Sequence, residues 1–232
     1  MKALRLVLTA SFLMYGGGNF YAAEMTENPL LKESTLPYQF PHFDRIKEEH
    51  FVPAMEAGMA EQLREIEAIA KNPAAPTFAN TLAPMERSGK TLERAQRVFS
   101  GLNGTHTNPK LQAIEKETAP KLAAHADAIR LNPGLFKRIQ ALYEQRERLA
   151  FDPESKRLIE RYHLDFVRAG AKLSEADKTR LKAINTELAS LRPAFSQNVL
   201  KEVNASAVLV DTRAELEGMS ENAIASAAAA AN

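Results

Sequence analysis

Five histidines carry most of the metal-binding and proton-transfer capacity of this chain: His42, His50, His106, His125 and His163. The most specific way to use such residues on a helix is H-E-x-x-H. Two imidazoles one turn apart then hold zinc, and the Glu beside the first acts as general base. Four residues after the five histidines stand Ile46, Ala54, Lys110, Ile129 and Val167, and no Glu directly follows any of them. We therefore assign no metal ligand and no catalytic residue to this sequence. His42 and His50 flank a run that contains Asp44, Glu48 and Glu49. Their separation of eight matches no recognised ligand pair, so both read as solvated or helix-terminal residues. His163 lies beside an apolar stripe and reads as a packing or rim residue, while His106 falls in a predicted turn between Asn103 and Asn108.

Other nucleophile and phosphate chemistries fare no better. The chain has no cysteine, which removes disulfides, thiolate nucleophiles and Cys-ligated zinc. No G-x-S-x-G elbow is present. Ser88-Gly89-Lys90-Thr91 imitates the end of a phosphate-binding loop, but Pro84 stands where the loop requires its first Gly. These four residues are expected to form an exposed stretch of helix.

The 232 residues suffice for one large or two small domains, and 45% hydrophobic content supports a buried core. A net charge of +1 argues against a nucleic-acid surface as the main function, since such domains carry a basic excess. At the start, Lys2 and Arg5 precede an apolar run from Leu6 to Tyr15, and Ala22-Ala23 offer small residues for cleavage. Residues 1–23 thus read as a secretory signal, too short to span a bilayer as a mature helix. The corresponding expectation is a periplasmic or secreted protein with no membrane contact after signal removal, or a cytoplasmic one if the signal does not operate. Residues 24–41, punctuated by Pro29, Pro37 and Pro41, read as an extended lead-in.

From there the pattern is helical. Pro53 is placed to open a helix whose stripe is Met55, Met59, Leu63, Ile66 and Ile69. Thr77 is the expected cap of the next segment, in which Pro84 marks a kink or a new start and Gly101 and Gly104 the end. Asn108-Pro109, Asn132-Pro133 and Asp152-Pro153 repeat a cap-plus-first-turn signal, Gly170 is a stop, and Ser174 with Asp177 forms a capping-box start. The helix after it carries Leu181, Ile184, Leu188, Leu191, Phe195, Val199 and Val203, with Pro193 a bend; Pro120 is expected to kink an earlier helix. One short strand is predicted at Ala207–Val210, and Ser220 caps a last, alanine-rich helix. The fold class is all-α, about six to eight helices with at most one short strand near 207–210.

Several segments, in order and at near-constant spacing, carry a resemblance. They include Asn28-Pro29-Leu30-Leu31, Pro41-His42-Phe43-Asp44, Pro76-Thr77-Phe78-Ala79-Asn80-Thr81, Glu86-Arg87-Ser88-Gly89, Ala169-Gly170-Ala171-Lys172-Leu173 and Gly218-Met219-Ser220-Glu221. With them the chain resembles the opening part of the M3 family of oligopeptidases, and within it the peptidyl-dipeptidase branch. The resemblance implies a mostly helical, two-lobed peptidase with a channel for short peptides. It also implies zinc held by H-E-x-x-H and a later Glu, and, for this branch, release of C-terminal dipeptides. No position here matches those catalytic residues, so none is carried over and zinc belongs to the family rather than to this chain. The expectation is a helical N-terminal lobe over 42–232, truncated before the catalytic zinc domain and inactive alone. Its partners are then short peptides and the missing C-terminal catalytic portion, and some apolar surface should be bare. The competing readings are a stand-alone helical peptide-binding module without catalysis and a helical domain with a metal-free activity.

Overall fold

Helix caps written in the sequence set most of the architecture. The computed structural model describes residues 28–148, 151–206, 208, 210 and 212–230. The expected signal at 1–23, the start of the lead-in, Leu149, Ala207, Leu209, Ala231 and Asn232 lie outside the described residues. Among those described, eight α-helices occur and no strand: α1 (Phe51–Ala70), α2 (Leu82–Arg87), α3 (Lys90–Thr105), α4 (Pro109–Arg130), α5 (Pro133–Gln145), α6 (Pro153–Arg168), α7 (Glu175–Ala205) and α8 (Glu221–Ala230). The fold is all-α. Val208 and Val210, from the strand candidate, take no regular structure.

Three starts follow the predicted cap chemistry. Asn108 Oδ1 accepts from the amides of Lys110 and Leu111, Asn132 Oδ1 from Leu135, and Asp152 Oδ1 from Ser155, all at 2.9–3.0 Å. Each has Pro at the first position, where a missing N–H costs nothing. Ser174 Oγ likewise accepts from the Asp177 amide at 3.1 Å. Gly170 ends its segment at φ 96, and a Cβ there would meet Leu181 and Leu173 side chains below 3 Å.

Other boundaries differ from expectation. Helix α1 begins at Phe51, after a 3-10 turn at Glu48–His50, so Pro53 sits inside the first turn, where its amide would be unpaired anyway. Thr77 does not cap α2. It exchanges hydrogen bonds with Asn80 inside the connecting turn, and the helix starts after Thr81. Helix α3 runs through Gly101 and Gly104 to Thr105, and α4 and α7 run through Pro120 and Pro193. The stretch Ser88–Thr91 is no exposed helix segment. Ser88 is extended, Gly89 adopts φ 74, and Thr91 is buried, so the chain breaks between α2 and α3. Gly89 permits the break, and its amide donates to Glu65 Oε2 at 2.8 Å.

The described chain divides into two compact units, one up to Pro193 and one from Ala194. In the first, α1 is the shared spine of two apolar clusters. One gathers Phe51, Met55 and Met59 with Leu92, Val98, Phe99 and Leu111. The other gathers Ile66 and Ile69 with Leu82, Leu135, Ile139 and Ile159. Phe51 and Phe99 meet edge to face at 5.3 Å. At Gly58, α1 and α3 approach so closely that a Cβ would lie 2.5 Å from the Leu92 amide nitrogen. One member of the predicted α1 stripe leaves the core: Leu63 is exposed. At about 100° per residue it lies about 80° from Met55, whereas Gln62 lies within about 20° of it and faces inward. The buried Arg138 guanidinium holds the loop after α1 through the carbonyls of Asn72 and Ala74 and Oδ1 of Asn80, at 2.8–3.0 Å.

In the second unit, a 3-10 turn at Arg213–Leu216 precedes α8, whose start is capped by Ser220 Oγ. Arg213 pairs with Glu221.

Candidate functional site

The five histidines are dispersed, each with a local job. His42 Nδ1 stands 3.9 Å from Asp44. His50 Nδ1 accepts from the Lys47 amide at 3.1 Å, where the turn enters α1. His106 closes α3. His163 stacks on Tyr143 with ring centroids 3.8 Å apart and pairs with Gln140 at 2.8 Å, while the Arg146 guanidinium carbon lies 4.0 Å from the centroid of the Tyr143 ring. His125 is buried, with Nε2 2.7 Å from Gln62 Oε1 and no partner for Nδ1 among the described residues. Gln62 in turn reaches Ser88 Oγ, which donates to the Met85 carbonyl. Burial pulls both His125 and His163 below the usual imidazole range, with Lys172 and Arg146 adding to the effect at His163. Gln62, His125 and Ser88 thus form one hydrogen-bonded network between α1, α4 and the break after α2. Nearby on α6, burial and then the Glu86 carboxylate push the Tyr162 hydroxyl far above its ordinary range, so it stays a donor to Glu86.

Zinc needs three or four convergent N, O or S donors. Among the described residues no group of three His, Asp or Glu is placed to hold a metal. These residues do not fit the zinc site that the resemblance implies for the whole family.

Two surface features stand out among the described residues. The first is a pair of adjoining clefts. One, of about 410 Å³, lies between the turn around Tyr38 and the outer face of α3; the other, of about 620 Å³, lies between the residues after Asn28 and the loop at 42–50. Glu33 and Ser34 line both. The second feature is α7 itself. Of its residues only Lys178 and Pro193 are buried. Ile184, Leu188, Leu191, Phe195, Val199 and Val203 are exposed at steps of four and three, Phe195 at 71%. These residues of the long helix are thus apolar and exposed at helical spacing. No helix among the described residues is long and apolar enough to cross a membrane.

Sequence reasoning located the α7 stripe. It missed the clefts, whose lining residues lie far apart in the chain, and it missed the inward-facing Gln62–His125 pair.

No family model matches the chain. Individual proteins do. The chain is 46% identical over 206 residues to the dipeptidyl carboxypeptidase of Escherichia coli (strain K12), an alignment that covers 89% of this chain and 30% of that protein. It is 45% identical over 207 residues to the dipeptidyl carboxypeptidase of Salmonella typhimurium, with the same coverage. Oligopeptidase A of Escherichia coli is 29% identical over 204 residues. The chain spans about a third of the length of the curated relatives it matches.

Proposed function

We infer that this chain, a member of the M3 family of oligopeptidases, contributes the helical, non-catalytic part of a zinc peptidase that acts on short peptides and releases C-terminal dipeptides. The observation that carries the reading is the 46% identity to a dipeptidyl carboxypeptidase over nearly the whole chain. The same alignment leaves 70% of that relative without a counterpart here, and among the described residues no group of three His, Asp or Glu is placed to hold a metal. In this reading zinc and the carboxylate that activates water come from polypeptide outside these 232 residues. The bare stripe of α7 is the seat for that catalytic portion, since about six exposed apolar side chains along one helix face gain most by being covered. The signal-like residues 1–23 support export, which N-terminal sequencing of secreted protein tests.

The deciding experiment compares the chain alone with the chain co-expressed with, or fused to, the remainder of the Escherichia coli dipeptidyl carboxypeptidase. Zinc content and dipeptide release from a blocked oligopeptide are measured. The chain alone should hold no stoichiometric zinc and release no dipeptide, and the combined protein should do both. Chelator-sensitive turnover by the chain alone, free of contaminant, would overturn the assignment. Tight binding of oligopeptides by the chain alone without turnover would favour the stand-alone peptide-binding module.

A further inference from the structure

The segment from Ser34 to Phe43 reverses the usual chemistry of a surface loop. It contains no Asp, Glu, Lys or Arg. Leu36, Tyr38, Phe40 and Phe43 within it are all exposed. Tyr38 exposes 103% of its reference surface, so its ring projects from the molecule rather than lying along it. Phe40 and Phe43 pack edge to face at 5.5 Å and present one joint apolar surface. Exposed apolar surface gathered in one place marks a contact with another body.

The loop is held in this shape from within. Both of its feet rest on the cluster of α1 and α3, where Leu30 is buried and Leu31 and Ile46 pack against it. Asn28 Nδ2 donates to the His50 carbonyl at 2.8 Å, and Arg94 donates to the Leu30 carbonyl at 3.1 Å. Across the loop, Ser34 Oγ donates to the Phe40 carbonyl at 2.6 Å and accepts from the Leu36 amide at 3.2 Å. At the tip, Tyr38 and Gln39 are consecutive non-glycine residues in the left-handed region, at φ 57 and 56. Such conformations are costly, and no burial of the Tyr38 ring offsets the cost in this chain. A loop already fixed in place loses little further freedom on binding, and aromatic side chains on such backbone dominate protein interfaces.

We propose that this aromatic tip is a second contact, besides the α7 stripe, through which the chain holds the catalytic portion of the peptidase. The inference rests on the reading of the chain as the non-catalytic part of such an enzyme. Size and shape select the occupant. The alignment with the Escherichia coli dipeptidyl carboxypeptidase covers 30% of that protein, so the relative carries further polypeptide of more than twice the matched length. A projecting ring is buried only by a concave apolar seat. The same tip on a second copy is itself convex, and the clefts beside it are lined mainly by charged and polar side chains such as Glu33, Lys90 and Arg94. The tip also lacks the Lys and Arg by which nucleic acids and anionic membranes are held.

The test co-expresses the chain with a tagged remainder of the Escherichia coli dipeptidyl carboxypeptidase. It reads the amount of chain co-purified and the amide hydrogen exchange of residues 35–43. These amides should exchange more slowly in the combined protein than in the chain alone. Tyr38→Gly with Phe40→Ser should lower the co-purified chain about tenfold or more, as when central aromatic contacts are removed. The chain alone should keep its melting temperature in this variant, because glycine suits φ 57 and neither ring is buried. Tyr38→Phe, which keeps the ring, should assemble like the parent. If the parent chain does not co-purify with the remainder, the reading of the chain as part of a peptidase fails, and the tip contact with it. If the parent assembles and the double variant assembles equally well, or residues 35–43 gain no protection, the tip contact alone is overturned. Self-association of the chain alone that the double variant abolishes would also overturn it, by making the tip a contact between two copies.

Discussion

Helices α1 and α7 are both long and both carry an apolar stripe, yet they differ in what the stripe meets. Helix α1 buries seven of its 20 residues, and α7 buries two of its 31. On α1 the stripe is shared between two clusters drawn from α2 to α6. On α7 the side chains of Leu191, Phe195 and Val203 remain exposed. Periodicity therefore reports that a face is suited to burial, and only the packed structure reports whether these residues themselves supply the cover.

The contrast can be broken by substitution, and the largest effect should come from the spine. Phe51→Ala removes a fully buried ring from its edge-to-face contact with Phe99. It should cost about 3–5 kcal/mol in urea unfolding, the usual range for a buried Phe. A loss below that range would mean the site collapses easily and the spine is less tightly packed than described.

Gly58→Ala should come next. Its new Cβ would sit 2.5 Å from the Leu92 amide nitrogen and 2.7 Å from the Leu92 Cα, which is backbone and cannot swing away. Helices α1 and α3 must separate, at about 1–3 kcal/mol. A neutral result in thermal denaturation would refute the close approach.

The inward-facing His125 on α4 and the stacked His163 on α6 sharpen the comparison through pH. Both have imidazole pKa values lowered in the folded state, chiefly by burial. As pH falls below the ordinary imidazole value of 6.5, the unfolded chain takes up these protons before the folded one does. The stability they support is complete above pH 6.5 and is lost progressively toward the lower folded-state values. Denaturant midpoints between pH 7.5 and 5 should fall, and His125→Gln should flatten part of that slope. An unchanged slope in the variant would place the titration elsewhere.

The smallest effect should be on α7. Phe195→Ser removes an exposed ring and should change stability by no more than about 0.5 kcal/mol. It should reduce binding of a hydrophobic dye and self-association, while in the combined protein with a catalytic portion it should weaken assembly. A large loss of stability in the chain alone would show that the stripe is already covered.

The sequence made local features legible and left angular and long-range ones hidden. Asn108, Asn132 and Asp152 were readable as caps because their chemistry is complete within three residues. The exchange of Leu63 for Gln62 on the inner face was not. Steps of four drift by about 40° each, and Gln62 is tolerated inside only because His125 accompanies it from 63 residues away. The break at Ser88-Gly89 was hidden for a similar reason, since it depends on Glu65 from α1 meeting the Gly89 amide. The clefts join residues near 32–47 to others near 90–97, a proximity no local pattern records. The turn at Pro37-Tyr38-Gln39 also escaped. Pro at the second position is an ordinary turn signal, but the left-handed residue after it is usually Gly, not Tyr.

The shared position of α1 between two clusters also has a dynamic meaning. Neither cluster can come apart without exposing one end of the same helix, so the two should not open independently. Amide hydrogen exchange is the place to see it. The protons of α1 around Met59 to Ile66, between the clusters, should exchange only through the opening of the whole first unit. Their exchange free energies should then match the global value and fall together in Gly58→Ala, rather than graduating from one end of the helix to the other.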